Sequence, residues 1–238
     1  AQNTTSERER IINLALKNNK EIKAAQLQLE KTNAAIQTAY SFDKTNVYYS
    51  YDQNNLAVNN EPLRVFGIQQ KFEFPTVYGA KKDVLTSEYE KENARFELQK
   101  NKLTLTLSKV YEHIVYLQNQ EKRYAYLDSL YQNFSKASKR RFELGETNYL
   151  EKITAQAKSG QIQTKKSQIE KDKLAQYELL NSLVQSEEKI RVLNTQMSPL
   201  TISLSSSGKE LHSAYLERIT ATYKKQLVLQ KQHWLPDI

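Results

Sequence analysis

Few residues of this chain have types and spacings that could carry out chemistry. The three histidines, His113, His212 and His233, lie far apart in the sequence, and Met197 is the only methionine. Structural zinc sites need Cys or His ligands at short, fixed spacings, and the chain has no cysteine. The carboxylates are scattered along helical stretches, with no nucleophile beside a base and no glycine-rich phosphate loop. The sequence therefore predicts no catalytic site, no metal site and no cofactor.

The composition is that of long helices. Of the 238 residues, 39% are hydrophobic, and there are only five glycines and four prolines. This profile is typical of coiled coils, whose helices share narrow apolar seams. The net charge is +8, but the basic residues are interspersed with acidic ones, and the sequence has no nucleic-acid-binding motif. We therefore do not expect nucleic acid as a partner. The chain has no run of about 18 apolar residues, which a transmembrane helix would need.

The largest predicted element is a helical hairpin over 82–196 with its tip near 142–150. Its only glycines are Gly145 and Gly160. The first arm carries large apolar residues at a three-four spacing, namely Leu103, Leu107, Val110, Ile114, Leu117, Tyr124, Leu127, Tyr131 and Phe134. The second arm repeats the spacing with smaller residues, at Leu150, Ile153, Ala157, Gly160 and Thr164. We expect the large side chains of the first arm to pack on the small ones of the second, with Gly145 at the turn.

A β-hairpin is predicted over 45–74, before Pro75, which should end its second strand. Along the first strand Val47, Tyr49 and Tyr51 share a face, and along the second Phe66, Ile68, Phe72 and Phe74 do. One interpretation, which the periodicity alone favours, is a half-buried hairpin of a soluble protein. The other is a strand pair of a transmembrane β-barrel, whose strands are about 9–11 residues long. That interpretation requires several copies to assemble, because lipid does not tolerate an open strand edge.

The two ends of the chain carry similar helices. A helix is predicted over 6–41 and another over 209–234, and each leads to an apolar residue and an aspartate, Phe42–Asp43 and Leu235–Asp237. The first is followed by the β-hairpin. We therefore expect a protein of two repeats, each a helix, a β-hairpin and a helical hairpin, of which this chain holds one repeat and the first helix of a second.

Three stretches carry a resemblance to a known family. They are Ala-Leu-Lys-Asn-Asn-Lys-Glu-Ile at 15–22, Phe-Gly-Ile-Gln-Gln-Lys-Phe-Glu-Phe-Pro at 66–75 with Tyr78 and Gly79, and Arg-Phe-Glu-Leu-Gly-Glu-Thr-Asn-Tyr-Leu at 141–150. In their order and spacing around long helices they resemble the TolC-like outer-membrane efflux channels, more closely the heavy-metal efflux branch. In the first stretch Lys20 stands where that family has a proline.

The resemblance implies a mainly α fold, a long antiparallel coiled-coil hairpin with shorter flanking helices, whose β-hairpin belongs to an outer-membrane barrel. The helices would form a periplasmic tunnel in a Gram-negative bacterium. A full-length homotrimer would act as a passive duct, not an enzyme, for heavy-metal cations or drugs. Its tip would meet a periplasmic adaptor (a membrane fusion protein) and, through it, an inner-membrane RND-type pump.

The resemblance also implies two sets of site residues. The adaptor would contact the tip at Arg141, Leu144, Gly145, Glu146 and Thr147, and outer-membrane lipid would contact Phe66, Ile68, Phe72 and Phe74. Arg140 and Arg141 have a second interpretation, a favourable interaction with the C-terminal dipole of the first arm. The rival hypothesis for the whole chain is a soluble periplasmic coiled-coil adaptor or scaffold protein.

Overall fold

A computed structural model of the chain describes residues 2–56, 62–197 and 207–234. The elements in order are α1 (Gln2–Asn18), α2 (Lys20–Ala35), a 3-10 helix (Ile36–Tyr40), β1 (Asn46–Leu56), β2 (Pro62–Gln69), α3 (Pro75–Glu143), α4 (Tyr149–Val184) and α5 (Ser207–Gln232). The predicted class is confirmed: long helices with one antiparallel β-hairpin. None of the described helices is long and apolar enough to cross a membrane.

The chain divides into two compact units. The first consists of Ala1–Lys23 and Gln99–Ser205, and the second of Ala24–Leu98 and Ser206–Ile238. The helical tip and the seam between α3 and α4 belong to the first unit, and the β-hairpin belongs to the second.

The core of the first unit is a narrow seam between α1, α3 and α4. Its fully buried side chains come from all three helices: Ala15, Leu107, Tyr111, Ile114, Val115, Leu180 and Val184. The prediction for this part of α3 is confirmed, because Leu107, Val110, Ile114 and Leu117 are all buried. Burying one such side chain stabilises the fold by about 1.5–3 kcal/mol, so these few positions supply most of the unit's apolar stabilisation.

The predicted seam of the second arm is wrong. Leu150, Ile153, Ala157, Gly160 and Thr164 are all exposed in α4. The positions that turn inward are Ala155, Ser159, Ile162, Lys166, Ile169, Lys173, Tyr177, Leu180 and Val184. Two of them are lysines that pair with acidic residues of α3: Lys166 Nζ lies 3.1 Å from Asp128 Oδ2, and Lys173 pairs with Glu121. The lysine stems cover the seam while their ammonium groups reach carboxylates, so a charged pair takes the place of an apolar contact.

The second arm also ends earlier than predicted, at Val184 and not at 196. The next residue, Gln185, has a left-handed backbone with φ 55°, and its N–H donates to the carbonyl of Asn181 at 2.9 Å. This is the backbone shape that ends many helices, although glycine is the usual residue for it. Pro199, which we expected to end the arm, lies outside the described residues.

Residues 185–197 form an irregular connecting segment that side chains hold against the seam. The bonds to its backbone are Ile190 N–H to Asn181 Oδ1 (2.7 Å), Gln118 Nε2–H to Val192 O (2.8 Å), Asn119 Nδ2–H to Thr195 O (2.8 Å), and Leu193 and Asn194 N–H to the Glu7 carboxylate (3.0 and 3.2 Å). A segment without a helix or strand partner needs such bonds, because buried backbone groups are costly to leave unpaired. Val192 is the residue of the segment whose side chain is buried in the core.

The first predicted helix, 6–41, is interrupted at Asn19. This side chain is only 4% exposed, and its Oδ1 accepts the N–H groups of Glu21 (2.9 Å) and Ile22 (3.2 Å), which caps α2. Its Nδ2 donates to the carbonyl of Leu183 at 2.8 Å, so the same residue ties α2 to the end of α4. Asparagine is among the best helix N-caps, and here it starts a new helix inside a helical pattern.

In the second unit, α5 packs on the first part of α3. The hydroxyls of Ser87 and Thr222 lie 3.1 Å apart and both residues are buried. Arg218 Nη1 lies 2.7 Å from Glu90 Oε2, on the exposed side of the same contact. α3 begins at Pro75, seven residues before the predicted start of the helical hairpin at 82. Proline is favoured in the first turn of a helix, where its missing N–H is not needed.

The two strands pair in antiparallel register, with Val47 opposite Ile68, Tyr49 opposite Phe66 and Tyr51 opposite Arg64. β2 ends at Gln69 and not at 74. The reason is the side chain of Gln70, whose Nε2 donates to the carbonyls of Asp43 (2.8 Å) and Lys71 (3.2 Å) and replaces strand pairing. Residues 57–61, within the predicted link between the strands, lie outside the described residues.

Replacing Asn19 by alanine should destabilise the first unit. The variant loses the α2 cap and leaves the Leu183 carbonyl without its donor, which together cost about 1–3 kcal/mol of unfolding free energy. Urea denaturation followed by circular dichroism measures the change. The control is Asn133→Ala at an exposed position of α3, which should leave the midpoint unchanged or raise it slightly. Equal midpoints for the two variants would refute the role given to Asn19.

Candidate functional site

The tip of the helical hairpin is built on a Schellman turn. The N–H of Glu146 donates to the carbonyl of Arg141 at 2.8 Å, and the N–H of Gly145 donates to that of Phe142 at 3.0 Å. Gly145 has φ +77°, a conformation that side-chain-bearing residues rarely adopt. The prediction that Gly145 makes the turn is confirmed.

The other side of the turn is the capped start of α4. The Oδ1 of Asn148 accepts the N–H of Glu151 at 2.8 Å, and the Glu151 carboxylate is bonded by the Thr147 hydroxyl. Arg141 Nη1 also lies 3.1 Å from Glu151 Oε1, and its Nε lies 3.9 Å from Glu146 Oε2. Arg141, Thr147 and Glu151 therefore hold the tip in one shape through bonds within the chain.

The tip exposes three apolar side chains among its charged ones. Leu144 is 64% exposed and Leu150 is 73% exposed, and Tyr149 between them is also exposed. The Tyr149 ring meets the Phe142 ring edge-on, with centroids 5.8 Å apart, and Lys152 Nζ lies 4.6 Å from the Phe142 centroid. We call Leu144, Tyr149 and Leu150 the tip patch. An exposed apolar group rimmed by charged side chains is typical of a protein contact site.

The predicted tip residues thus divide into two kinds. Leu144 and Glu146 are exposed and can contact a partner directly, whereas Arg141, Gly145 and Thr147 shape the turn. Sequence reasoning missed Tyr149 and Leu150 as surface residues because Leu150 was assigned to the seam. The available signal was the cap: a helix that begins after Asn148 and turns Ala155 inward points Leu150 outward.

The second candidate site is one face of the β-hairpin. Val47 and Tyr49 of β1 are each 59% exposed, and their partners Ile68 and Phe66 in β2 are 72% and 75% exposed. The Tyr49 and Phe66 ring centroids lie 6.3 Å apart. We call these four residues the hairpin face. It is a continuous apolar surface on a sheet of only two strands in the part of the chain that the structure describes.

The opposite face of the hairpin depends on Gly67. Tyr48 lies directly across from Gly67, and a Cβ on Gly67 would stand 2.3 Å from the Tyr48 ring. The tyrosine therefore lies flat over the glycine, and this packing requires a residue without a side chain there. At the far end of the hairpin face, the Arg64 guanidinium lies 5.6 Å from the centre of the Tyr51 ring.

Two predicted lipid-facing residues are not part of this strand surface. Phe72 and Phe74 follow the end of β2, and Phe72 packs edge-on against Phe42 with centroids 5.6 Å apart. Phe42 makes a similar contact with Tyr78 at 5.6 Å. The structure therefore brings Phe66 and Ile68 together on one strand face, and joins Phe72 to an aromatic cluster with the first turn of α3.

Two ionisable groups are shifted by contacts of the seam. Burial is the main cause that raises the pKa of Tyr111 to about 12, and its hydroxyl donates to Glu7 Oε2 at 3.0 Å. Hydrogen bonds from Gln132 and then Lys166 lower the pKa of Asp128. The shifts arise from burial and from bonds within and between packed helices, and contacts of this kind also shift the pKa of residues with a structural role. Within the described ranges, no three His, Cys, Asp or Glu side chains are grouped as metal ligands.

Alanine substitutions at two glycines of the helical hairpin should have opposite effects. A Cβ at Gly145 meets no atom within 4 Å, so the cost of Gly145→Ala is the positive φ alone, about 1–2 kcal/mol. A Cβ at Gly160 is equally unobstructed in the middle of α4, so Gly160→Ala should stabilise the protein by up to about 1 kcal/mol. Thermal unfolding midpoints measure both. Shifts of the same sign would contradict this account of the turn.

Comparisons with known proteins identify the fold. No family model and no curated protein sequence matches the chain. Among solved structures, a membrane protein from Pseudomonas aeruginosa matches 97% of the chain with a TM-score of 0.81 and 12% identity, over 57% of its own length. The outer membrane protein VceC from Vibrio cholerae matches 98% of the chain with a TM-score of 0.75 and 14% identity, over 60% of its length.

A third match is CusC, whose structures concern folding and transmembrane channel formation. The match covers 91% of the chain and 55% of CusC, with a TM-score of 0.70 and 16% identity. The chain thus spans less than two thirds of each of these proteins. OprN, CmeC from Campylobacter jejuni and MtrE from Neisseria gonorrhoeae, which also match, are outer membrane channels. The chain has the fold of the TolC-family outer-membrane efflux channels.

Proposed function

We propose that this chain is part of an outer-membrane efflux channel. The β-hairpin would lie in the membrane barrel, and the helical hairpin of α3 and α4 would extend into the periplasm of a Gram-negative bacterium. The observation that carries the proposal is the hairpin face, exposed and apolar on a protein that has the fold of such channels. A passive duct needs shape and no catalytic groups.

The physical argument concerns what surrounds the hairpin face. Phe66 and Ile68 are about three-quarters exposed, and removing each from water is worth about 1.5–3 kcal/mol. A pair of strands is at best marginally stable in water, and lipid requires both of its open edges to be paired. Lipid on the hairpin face and further strands at the edges meet both requirements. We therefore propose that full-length copies assemble as a homotrimer with a shared barrel.

The finer parts of the proposal concern the route and the cargo. The tip would dock a periplasmic adaptor, which connects the duct to an inner-membrane RND-type pump. The tip patch supports this, since Leu144 is exposed beside Glu146 on a turn that backbone hydrogen bonds within the chain stabilise. For the cargo we propose heavy-metal cations or drugs. CusC is among the matched structures, as is the outer membrane channel MtrE from Neisseria gonorrhoeae.

Introducing a charge on the hairpin face should prevent membrane insertion. Phe66→Arg places a guanidinium where we propose lipid, at a cost of about 2–4 kcal/mol if the site is near the bilayer midplane. The matched control is Gln69→Arg, an exposed position on the opposite face of the same strand. The measurement is the amount of protein recovered in the outer-membrane fraction of the bacterium that makes it.

The expected result is loss of the Phe66→Arg variant from that fraction and normal recovery of the Gln69→Arg variant. Equal recovery of both variants would be evidence against lipid on the hairpin face. Recovery of the unmodified protein in the soluble periplasmic fraction would favour the rival hypothesis, a soluble coiled-coil adaptor or scaffold.

Docking of the tip can be tested by photo-crosslinking in cells. A photoreactive residue at Leu144 should crosslink to a periplasmic adaptor identified by mass spectrometry. The control position is Leu174 in the middle of α4, which is 63% exposed, nearly the same as Leu144. Adaptor crosslinks of equal yield at both positions would argue against a specific contact at the tip.

A further inference from the structure

A second surface of the first unit, separate from the tip, has the chemistry of a binding groove. It is an open cavity of about 1000 Å³ between the end of α1, the start of α2 and the first part of the connecting segment. Its cationic lining residues are Arg10, Lys17, Lys20, Lys23, Lys189 and Arg191. Against these six it has two acidic residues, Glu187 and Glu188. We call this cavity the basic groove.

The cations of the basic groove are exposed and largely unneutralised. Lys189 lies 3.4 Å from Glu178, but among the described residues no carboxylate lies within ion-pair distance of Arg10, Lys17, Lys20, Lys23 or Arg191. Elsewhere in the same unit, basic side chains that flank a packed surface have acidic partners, as Arg8 does with Glu112 and Lys166 with Asp128. The like charges of the groove repel one another, and an anionic partner would relieve that repulsion.

The rest of the lining indicates what kind of anion fits. Its apolar lining residues, which we call the floor, are Ile11, which is buried, Ile190, which is half-buried, and Leu14, which is 37% exposed. Asn13, Asn18 and Gln185 contribute amide side chains, which can donate to and accept from peptide groups. A polyphosphate has no apolar groups and no hydrogen-bond donors of its own for this lining to contact, whereas a polypeptide has both. The volume is at the upper end of the range for small-molecule pockets, about 300–1,000 Å³.

From these observations we infer that the basic groove is a docking site for an extended, glutamate- or aspartate-rich segment of another protein. Its carboxylates pair with the rim cations, and alternate side chains of the segment rest on the apolar floor. This inference does not depend on the channel function, because it rests on charge and shape within the first unit. It adds a second protein contact to the one proposed at the tip.

Hydrogen bonds within the chain fix the walls of the basic groove. The Oε1 of Gln185 accepts the backbone N–H of Lys20 at 2.9 Å, which fixes the connecting segment to the start of α2. Asn181 Oδ1 holds Ile190 at 2.7 Å, and the Ser186 hydroxyl donates to the carbonyl of Glu188 at 2.5 Å. The two walls are thus formed before a partner arrives, and binding need not order them first.

The test measures binding of short fluorescein-labelled peptides to the full chain by fluorescence anisotropy. The probe alternates glutamate and leucine, and a second probe alternates glutamate and serine. The variant Lys20→Glu/Lys23→Glu reverses two groove charges. Both positions are in the first turn of α2, where acidic residues are favoured by the helix dipole, so the variant should fold normally by circular dichroism. The control Lys158→Glu/Lys165→Glu makes the same charge change on the exposed face of α4.

We expect the groove variant to weaken binding of the glutamate–leucine peptide about tenfold or more, and the control to change it less than about twofold. The glutamate–serine peptide should bind about fivefold more weakly than the leucine peptide, because it leaves the floor uncovered. Equal weakening by the two double variants would overturn the proposal in favour of non-specific attraction. Inorganic polyphosphate binding as tightly as the leucine peptide, with the same groove dependence, would overturn it in favour of a general polyanion site.

If Lys20→Glu/Lys23→Glu fails to fold, the variant Arg10→Gln/Arg191→Gln provides the same test. It removes two charges from the other side of the groove without introducing new ones. Binding of the leucine peptide should again weaken severalfold, and unchanged binding would refute the groove as the site.

Discussion

The first unit depends on one constraint: two long helices can bury only a narrow stripe between them. The stripe becomes a core where α1 joins it, around Ala15, Ile114 and Leu180, and the fully buried side chains of the unit concentrate there. Ala15 has a small side chain, so the α1 backbone can approach the other two helices closely. The connecting segment adds its own Val192 to the same core. Since the segment has no strand partner, amide side chains and the Glu7 carboxylate bond to its backbone.

The sequence predicts the seam of α3 correctly from Leu107 to Leu117 but wrongly at Phe134, which is 49% exposed, and it predicts the seam of α4 incorrectly. In α3 the buried positions from Leu107 to Leu117 are large and apolar, so periodicity identifies them, whereas nearer the tip the buried positions are Asp128 and Ser138. In α4 two seam positions are Lys166 and Lys173, a residue type that a sequence pattern assigns to the solvent-facing side of a helix. They are half-buried here because each pairs with a carboxylate of α3, Asp128 and Glu121 respectively. The small-residue stripe through Gly160 looks like a close-packing surface, but a sequence cannot say which helix, if any, packs against it.

Local backbone signals were readable only where the residue type is nearly obligatory. Gly145 could be predicted as the turn because its positive φ excludes most other residues. The end of α4 could not, because Gln185 adopts the same left-handed region without being a residue that signals it. Asn19 begins α2 inside an unbroken helical pattern, and its role depends on Leu183, distant in sequence. Likewise, the alternation of apolar and polar residues predicted which residues of β2 share a face. It did not predict the end of β2, where the Gln70 side chain bonds to the carbonyl of Asp43.

The hairpin face and the tip patch differ in the charges around them. The hairpin face consists of adjacent cross-strand pairs, Val47 with Ile68 and Tyr49 with Phe66, and a flat surface of this kind contacts a continuous apolar medium as readily as a partner protein. The tip patch is small and surrounded by the Arg141–Glu151 ion pair and Glu146. Lipid would leave those charges unsolvated, whereas a partner protein can pair them. The distribution of charge around each surface therefore argues for lipid at the first and protein at the second.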